Sequence, residues 1–388
     1  MLKLLDICIP TYKRPVTLLR CVDSIVQQIG ADSLSDSVGI YVANDASPDD
    51  TAEVVMKYES LSYLKVITRK QNLGMNQNIR RMLQEASGNS HYQLIITDDD
   101  YLHPNVLSEL VKYLLLQKSS GNIVPTFWTP RFSYLENGDL FTIVCNPFNE
   151  NRFVKPSAVN AGQYMFNGFV LSGLIVRAEF IDYEFWEVYK ENAFFPIIFF
   201  GDLVFRFGAR YLNKNIVHHT VLNECHWERW GKNDVVIMLR LFADFANAYV
   251  VMARRIDKIT AKVAFYTAST HSIYGIVFRL MSSDKLGVDK RVVREAINDL
   301  KEKGVLRFEF QLLFLMLCSY VLVVAISMMK VVFYASLFIL IWPILTVRSS
   351  LGYSVYAGGE FRKKYYLKQL KSWLGLLRNI PISLRVIL

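Results

Sequence analysis

The 388-residue chain contains neither of the common glycine-rich loops that bind nucleotide phosphates. No G-x-G-x-x-G fingerprint and no G-x-x-x-x-G-K-[ST] loop occurs anywhere in the sequence. Dinucleotide dehydrogenases and P-loop phosphotransferases depend on these loops, whose backbone N–H groups approach the phosphates closely. Both classes therefore lose their main support, while a nucleotide held through a metal ion stays open.

Cysteine is also scarce. The chain has five cysteines, an odd number, and they are scattered without a C-x-x-C pair. This usage is typical of a reducing compartment, and it argues against a zinc site at the histidines near Cys225.

No internal repeat or low-complexity tract is present. Residues 1–9 lack a cleavage pattern, so we expect a first strand there rather than a signal peptide.

Residues 4–117 alternate short apolar runs with amphipathic stretches. The runs predict strands at residues 4–9, 39–43, 64–68 and 92–97, and the stretches predict helices at residues 15–29, 51–58, 76–86 and 104–117. Strands and helices that alternate at this spacing imply right-handed crossovers and a mostly parallel sheet. The sequence therefore predicts an α/β fold.

Polar segments follow each of the four predicted strands, at residues 10–14, 44–47, 69–74 and 98–100. In an open parallel sheet, ligands bind beyond the carboxyl ends of the strands. We therefore expect these four segments to share one rim and to form the site.

The last of these segments is a run of three carboxylates, Asp98, Asp99 and Asp100. Adjacent carboxylates repel one another unless a cation lies among them, so the run indicates a divalent metal and the phosphates that it carries. The alternative is a solvated turn or a helix N-cap, and Pro104 with Asn105 is compatible with a helix start.

Three motifs carry a resemblance to a known family. They are D-I-C-I-P-T-Y-K-R at 6–14, N-D-A-S-P-D-D-T at 44–51, and N-L-G at 72–74 followed by the triplet at 98–100. In order and spacing they resemble the family 2 glycosyltransferases, inverting enzymes whose α/β domain, of the type called GT-A, binds a nucleotide sugar. The D-D-D-Y-L variant most resembles enzymes of bacterial surface polysaccharide and O-antigen synthesis, including the abequosyltransferase-like group. The resemblance is good over residues 1–120, thin to about 230 and absent beyond.

The resemblance implies a nucleotide-sugar site with Tyr12 as a stacking face, Arg14 as a cationic fork for the diphosphate and Asp45 as an acceptor for the base. The residues implied in this site are Pro10, Thr11, Tyr12, Arg14, Asp45, Asn72, Gly74 and Asp98. Taken singly, each has an ordinary alternative: Pro10 and Thr11 could cap a helix, Asp45 could form an Asx turn, and Arg14 could be a solvated charge.

The resemblance also implies a DXD-type metal site for Mg²⁺ or Mn²⁺, because hard oxygen ligands suit these ions. Asp98 and Asp99 would contact the ribose and the metal, with Asp100 as a further ligand. A histidine that follows the base segment would lie near the diphosphate or the metal, and both His219 and His226 fit that description.

Asp202 is the candidate base that takes the proton of the acceptor hydroxyl. It follows the apolar residues 194–200, and partial burial would raise the pKa of its carboxyl toward a useful value. The family usually has Glu-Asp here, whereas Gly201 precedes Asp202 in this chain. The alternative is a helix N-cap.

The acceptor is expected to bind in the weakly matched middle of the chain. Residues 166–173 predict a strand whose small side chains permit close approach. Four tryptophans could stack on sugar rings or lie in the core, namely Trp128, Trp186, Trp227 and Trp230.

Residues 310–347 form a nearly continuous apolar run in a chain that is 52% hydrophobic. As one helix this run would measure about 57 Å, longer than the roughly 30 Å hydrocarbon core, but two segments divided near Lys330 would each fit. Both flanks are basic, so the positive-inside rule favours a hairpin or an in-plane insertion. The alternatives are a lipid-facing groove and a helical pair in a dimer interface, which keeps a homo-oligomer open.

These observations predict a GT-A domain at 1–231, with a nucleotide-sugar half at 1–120 and an acceptor half at 121–231. This domain is followed by a helical connector at 232–309, the membrane segment at 310–347 and a basic amphipathic tail at 348–388.

The net charge of +9 lies beside apolar segments without a nucleic-acid motif. We therefore expect an anionic membrane surface as the partner, and we do not expect nucleic acid. We expect the cytoplasmic face of the inner membrane and a lipid-linked saccharide acceptor.

The resulting hypothesis is a metal-dependent inverting glycosyltransferase that uses a nucleoside-diphosphate sugar. One alternative is a sugar nucleotidyltransferase, but residues 10–14 lack the expected glycine-rich first loop. The other is a non-catalytic, membrane-anchored scaffold that retains a degenerate GT-A fold.

Overall fold

Parallel strands at the N-terminal end of the chain form the framework of the fold in this computed structural model. It describes residues 2–120, 126–128, 131–136, 139–144, 148, 150–221 and 235–265, with the backbone alone for much of 126–144 and 219–243. Strand β1 (Lys3–Thr11) pairs in parallel with β2 (Val38–Asn44) and with β4 (Ser90–Ile95). Strand β3 (Leu64–Thr68) continues this arrangement beside β2. The predicted parallel sheet is confirmed.

The sheet then extends through strands of mixed direction. The further strands are β5 (Tyr101–Leu102), β6 (Thr126–Trp128), β7 (Arg131–Glu136), β8 (Asp139–Val144), β9 (Arg152–Val154), β10 (Leu174–Val176), β11 (Ala209–Leu212) and β12 (Val217–Val221). The large sheet has the order β3-β2-β1-β4-β10-β6-β11-β9, and a smaller sheet has the order β5-β12-β7-β8. Strand β10 runs antiparallel to β4, so the sheet changes direction at this pair.

Helices cover both faces of the large sheet. The α-helices are α1 (Pro15–Ala31), α2 (Met75–Ala86), α3 (Leu107–Ser119), α4 (Ala158–Tyr164), α5 (Tyr183–Val188), α6 (Phe195–Phe207) and α7 (Val235–Met252), and residues 258–265 are also helical. Leu5, Ile7 and Ile9 of β1 belong to the core that α1 and α3 cover, whereas Cys8 belongs to the core of α2 and α6. Because side chains alternate along a strand, a strand covered on both faces is mostly apolar, as β1 is apart from Lys3, Asp6 and Thr11.

Three predicted elements differ from the structure in type or in bounds. The predicted strand at 166–173 is wrong: Met165–Phe169 forms a 3₁₀-helix, and the strand begins only at Leu174. A short apolar run does not distinguish a strand from a buried helical turn. The predicted helix at 51–58 is a 3₁₀-helix at Glu53–Tyr58. Helix α3 begins at Leu107, after Asn105 takes a φ of 59° that an α-helix does not allow.

The C-terminal described segment completes the second core. Phe245, Tyr249 and Met252 of α7 pack in the same cluster as the buried side chains of α6. The predicted connector at 232–309 is described only as far as residue 265, and the segments at 310–347 and 348–388 lie outside the described residues. Across the described part of the chain, none of the helices combines the length and the apolar character that a bilayer crossing requires.

Gly168 lies so close to helix α6 that a larger residue at this position is predicted to destabilise the protein. A Cβ at this position would lie 2.3 Å from the Phe200 Cβ and 2.6 Å from the Pro196 carbonyl oxygen. We expect Gly168→Ala to lower the free energy of unfolding by about 1–3 kcal/mol, as overpacking does. Thermal unfolding of the full-length protein measures the effect. Gly30→Ala in α1 is the control, because no atom lies within 4 Å of its Cβ position; an equal loss in both variants would contradict the packing explanation.

Candidate active site

The loop after β1 contacts the acidic turn after β4. The Tyr12 backbone N–H donates to Asp98 Oδ2 at 3.4 Å, and Arg14 Nη1 donates to Asp98 Oδ1 at 3.4 Å. The same Arg14 nitrogen also donates to Asp99 Oδ2. The structure therefore brings together residues that the sequence predicted to meet at the rim.

Two backbone hydrogen bonds fix the first loop to the loop after β2. The Lys13 N–H donates to Ser47 Oγ at 2.9 Å, and the Arg14 N–H donates to Thr51 Oγ1 at 3.1 Å. Lys13 has a φ of 57°, which is uncommon for a residue with a side chain and often marks a functional loop. The backbone of Arg14 is thus held in place at the start of α1.

Pro10 and Thr11 are the last residues of β1, where they lie in register with Ala43 and Asn44 of β2. Both are buried, and the Thr11 carbonyl accepts the Asp45 N–H at 2.9 Å. They do not cap the first helix, because Arg14 occupies the N-cap position of α1. Their contact with a nucleotide stays a prediction.

Asp45 organises the loop after β3. Its carboxylate accepts the Leu73 N–H at 2.8 Å and the Gly74 N–H at 2.9 Å, while Asn72 Nδ2 donates to the Asp45 carbonyl at 3.1 Å. Gly74 has a φ of 80°, a conformation that glycine adopts without strain. Burial raises the pKa of Asp45, and the two backbone donors oppose that rise. The described contacts of Asp45 are within the loop, and its contact with a base stays a prediction.

The acidic turn is not a solvated turn. Asp98 is 6% exposed and Asp100 is 3% exposed. Burial raises the pKa of Asp98 to about 7; the Arg14 guanidinium opposes the rise and the Asp99 charge adds to it. The turn thus concentrates negative charge that water barely reaches, and such charge requires a positive partner.

The three carboxylates are held in two ways. Asp98 and Asp99 share Arg14 Nη1, whereas Asp100 Oδ2 accepts a hydrogen bond from Thr97 Oγ1 at 2.8 Å. Within the described residues, no three His, Cys, Asp or Glu side chains are grouped so that they could hold a metal ion. Two carboxylates nevertheless converge on one cationic nitrogen, so their oxygens suit a hard divalent cation in charge and in chemistry.

Helix α1 supports the acidic turn with polar side chains that the sequence analysis missed. Arg20 Nη2 donates to the Asp99 carbonyl at 3.0 Å, and Ser24 Oγ accepts the Leu102 N–H at 3.1 Å. Gln28 Oε1 accepts two backbone N–H groups at the start of α3, each at 3.0 Å. These three residues are spaced by four, so they lie along one line of the helix. The spacing of four residues was the signal in the sequence that could have revealed this support.

The two predicted histidine ligands are only partly described. The backbone of His219 lies on β12 opposite Phe132 of β7, and its side chain is not described; His226 lies outside the described residues. The neighbouring His218 does lie beside the end of the acidic turn. Its ring stacks on Tyr101 at 5.0 Å and on His103 at 4.4 Å between ring centroids.

Asp202 lies in the middle of α6 and is 3% exposed, so its alternative as a helix N-cap is wrong. Its Oδ2 accepts from Arg206 Nη2 at 2.7 Å, and its Oδ1 lies 3.2 Å from Arg255 Nε. Burial raises the pKa of Asp202, and the two arginines oppose that rise. Its role as a base stays a prediction.

Trp186 is a core residue. Its side chain is fully buried, and its indole N–H donates to Asn76 Oδ1. Trp186 therefore belongs to the core, and its ring leaves no face on which a sugar could stack. The side chains of Trp128, Trp227 and Trp230 lie outside the described residues.

The raised pKa of Asp98 predicts a pH-dependent effect on stability. A carboxyl whose pKa is higher in the folded state loses stabilising free energy as pH rises from its ordinary pKa of 3.8 to about 7. We therefore expect Asp98→Asn to raise the melting temperature at about pH 8 and to have a smaller effect at about pH 5. Thermal unfolding at both values measures the difference.

The exposed Asp36 provides the matched control. Asp36→Asn removes one surface carboxylate and should change the melting temperature little at either pH, because surface substitutions have small effects. An Asp98→Asn effect that is the same at both pH values would contradict a raised pKa.

The chain is similar to known proteins in part of its sequence and in its fold. Residues 6–164 match the model of glycosyl transferase family 2. Among solved structures, S. aureus TarS 1-349 in complex with UDP-GlcNAc has a TM-score of 0.53 and 15% identity, covering 79% of this chain and 82% of that chain. The mannosyltransferase PcManGT from Pyrobaculum calidifontis, in complex with GDP-Man and Mn²⁺, has a TM-score of 0.42 and 13% identity, covering 82% and 85%. No curated protein sequence matches the chain.

The similarity to TarS is one of fold, since the sequence identity is low. The family match begins in β1 and includes all four rim segments, of which the acidic turn is the last. The chain has a GT-A-like α/β fold with a mostly parallel central sheet, and its residues 6–164 are similar to glycosyl transferase family 2.

Proposed function

We propose that this protein is a family 2 glycosyltransferase that moves a sugar, with inversion, from a nucleoside-diphosphate donor to a hydroxyl of a lipid-linked saccharide in bacterial surface polysaccharide synthesis. The observation that carries the proposal is the contact of the Tyr12–Arg14 loop with Asp98 and Asp99. This contact joins an aromatic face, a guanidinium and buried carboxylates at the carboxyl ends of parallel strands. A nucleoside diphosphate needs groups of these kinds.

The donor would bind along the rim, with its base on Tyr12 and its diphosphate at Arg14. Tyr12 is 38% exposed, so its ring has a free face for stacking, and the Lys13 ammonium lies 5.0 Å from the ring centroid. Arg14 offers a planar fork that matches phosphate oxygens. Asp45 supports this rim through Leu73 and Gly74.

Asp98 and Asp99 would hold Mg²⁺ or Mn²⁺, with Asp100, His219 and His226 as further candidate ligands. A bound divalent cation would neutralise charge that develops on the departing diphosphate. The convergence of two carboxylates on one cationic nitrogen supports this assignment.

Asp202 is proposed as the base that accepts the proton of the attacking hydroxyl. A carboxylate that is shielded from water and flanked by arginines has a tuned proton affinity, as general bases do. Asp202→Asn is expected to lower kcat by about 10²–10⁴-fold and to leave nucleoside-diphosphate binding unchanged. Steady-state kinetics with a calorimetric titration checks both. Full activity in Asp202→Asn would rule out the base role, and weaker nucleotide binding would indicate a structural role instead.

The membrane part of the proposal rests on sequence alone. The apolar residues 310–347 and the basic residues on both sides favour attachment to the cytoplasmic face of the inner membrane. There the acceptor would present its hydroxyl to the rim from the bilayer surface. The abequosyltransferase-like subtype belongs to this same proposal.

Donor binding is predicted to depend on the acidic turn. We expect UDP or GDP to raise the melting temperature of the full-length protein when Mn²⁺ is present and much less when it is absent, because a ligand that binds the folded state stabilises it. Asp99→Ala should remove this metal-dependent rise and abolish transfer, while the protein stays folded. Asp36→Ala is the control, and it should keep the rise. A full metal-dependent shift in Asp99→Ala would reject the metal role of the turn.

A further inference from the structure

We infer, on the basis of the function proposed above, that Arg255 is a positioning residue for Asp202, the proposed base. Arg255 and Arg206 contact different oxygens of the Asp202 carboxylate, so the two arginines fix its orientation and hold it in the ionised form. Arg255 lies beyond residue 231, the predicted end of the GT-A domain. The catalytic unit therefore extends past α7.

The Asp202 carboxylate is held from two elements of the fold. Arg206, one turn further along α6, donates to Oδ2 from Nε at 3.0 Å and from Nη2 at 2.7 Å. Arg255 approaches from the segment after α7, with its Nε 3.2 Å from Oδ1. The Asp202 side chain is only 4% exposed, and a carboxylate so far from water requires positive charge at close range. Contacts on both oxygens also restrict rotation of the carboxylate.

The Arg255 side chain is itself fixed by α5. Its guanidinium pairs with Asp182 Oδ2, and the guanidinium carbon lies 3.9 Å from the centroid of the Phe185 ring, within the range of a cation–π contact. Asp182 is held in turn, because its carboxylate caps α5 by accepting the Phe185 N–H at 2.8 Å. Arg255 thus connects α5 to α6 at Asp202.

Gly201 allows the segment that contains Arg255 to lie close to α6. A Cβ at residue 201 would lie 2.9 Å from the Met165 Cβ and 3.1 Å from the Met252 Cε, so Met252 of α7 occupies space that a larger residue would need. Met252 belongs to the same apolar core as α6, and its carbonyl accepts the Arg255 N–H at 2.9 Å. The packing of Met252 against Gly201 therefore places Arg255 beside the next residue, Asp202.

A general base must be ionised before it accepts a proton, and burial works against this state. Burial raises the pKa of Asp202, whereas Arg206 and Arg255 oppose the rise and Asp182 adds to it. Tyr189, directly after α5, is also within electrostatic range, since burial and the Asp202 charge raise the pKa of its hydroxyl. These are the charged and titratable groups around Asp202 in the described part of the chain. Of the two arginines, Arg255 comes from outside the helix that contains Asp202.

The pH dependence of turnover in the full-length protein tests this role. Release of UDP or GDP from a panel of UDP- and GDP-sugars, with water as the acceptor, gives an assay that needs no saccharide. We expect kcat/KM of wild type to fall on the acidic side of the pKa of the base. Arg255→Gln should move this acidic limb up by about one pH unit, because loss of a neighbouring opposite charge raises the pKa of a carboxyl. Binding of UDP or GDP should stay unchanged.

Arg254→Gln is the matched control, since it removes one positive charge at the neighbouring position, which is exposed. Its acidic limb should coincide with that of wild type, because charges exposed to solvent are screened. Arg255→Lys keeps the charge and should return the limb to within about half a pH unit of wild type. It also serves as the second variant if Arg255→Gln does not fold.

A double-mutant cycle provides a second measurement that uses no substrate. Melting temperatures of wild type, Arg255→Gln, Asp202→Asn and the double variant, at about pH 8 and about pH 5, give the coupling between the two side chains. The coupling should be favourable at pH 8, where the carboxyl is ionised, and smaller at pH 5, because protonation of Asp202 removes the ion pair.

An acidic limb in Arg255→Gln that coincides with that of wild type would overturn the positioning role. An equal shift in Arg254→Gln, or the absence of coupling in the cycle, would overturn it as well. These outcomes are separate from failure of the proposed function. If Asp202→Asn keeps full activity with the same limb, or if wild type releases UDP or GDP from none of the sugars, the proposed function fails and the Arg255 role fails with it.

Discussion

The arrangement of the site depends on negative charge held out of water at the end of β4. Asp98 is buried beside Asp99, and the structure compensates with the guanidinium of Arg14 from the next loop. The cost of burying an unpaired carboxylate is high, so the two loops must stay together. This requirement joins the loop after β1 to the acidic turn after β4, and the other contacts of the rim support it.

Hydrogen bonds from three directions support that pair of loops. Ser47 and Thr51 hold the backbone of the first loop, and Asp45 holds the loop after β3 through two backbone N–H groups. Helix α1 supports the acidic turn and the segment that follows it through Arg20, Ser24 and Gln28. These hydrogen-bonding groups are already paired within the protein. Under the proposed function, the side chains that would meet the nucleotide sugar are therefore the more exposed ones, chiefly Tyr12 and part of Arg14.

The strands and the rim could be predicted because their signals are local. Apolar runs bounded by polar segments predict parallel strands, and the parallel arrangement brings residues as distant as Tyr12 and Asp98 together. The support from α1 was missed because it depends on which face of the helix meets the turn, a tertiary property. The 3₁₀-helix at Met165–Phe169 was mistaken for a strand because a short buried segment is apolar in either conformation. The approach of Arg255 to Asp202 was not predictable, because no strand register or motif relates the segment after α7 to α6.

A continuous set of contacts connects the rim to the candidate base. Asn76, two residues beyond Gly74, donates to the Tyr189 carbonyl and accepts from the Trp186 indole. Helix α5, which contains Trp186, is capped by Asp182, and Asp182 pairs with the same Arg255 that approaches Asp202. The loop that Asp45 organises and the helix that contains Asp202 are therefore joined by polar contacts, some buried and some partly buried, as well as by a shared apolar core. Because packed interiors deform little, this connection fixes the distance between the rim and Asp202. A base that accepts a proton from an incoming hydroxyl requires such a fixed distance, so the buried ion pairs around Asp202 are compatible with a catalytic role as well as with a structural one.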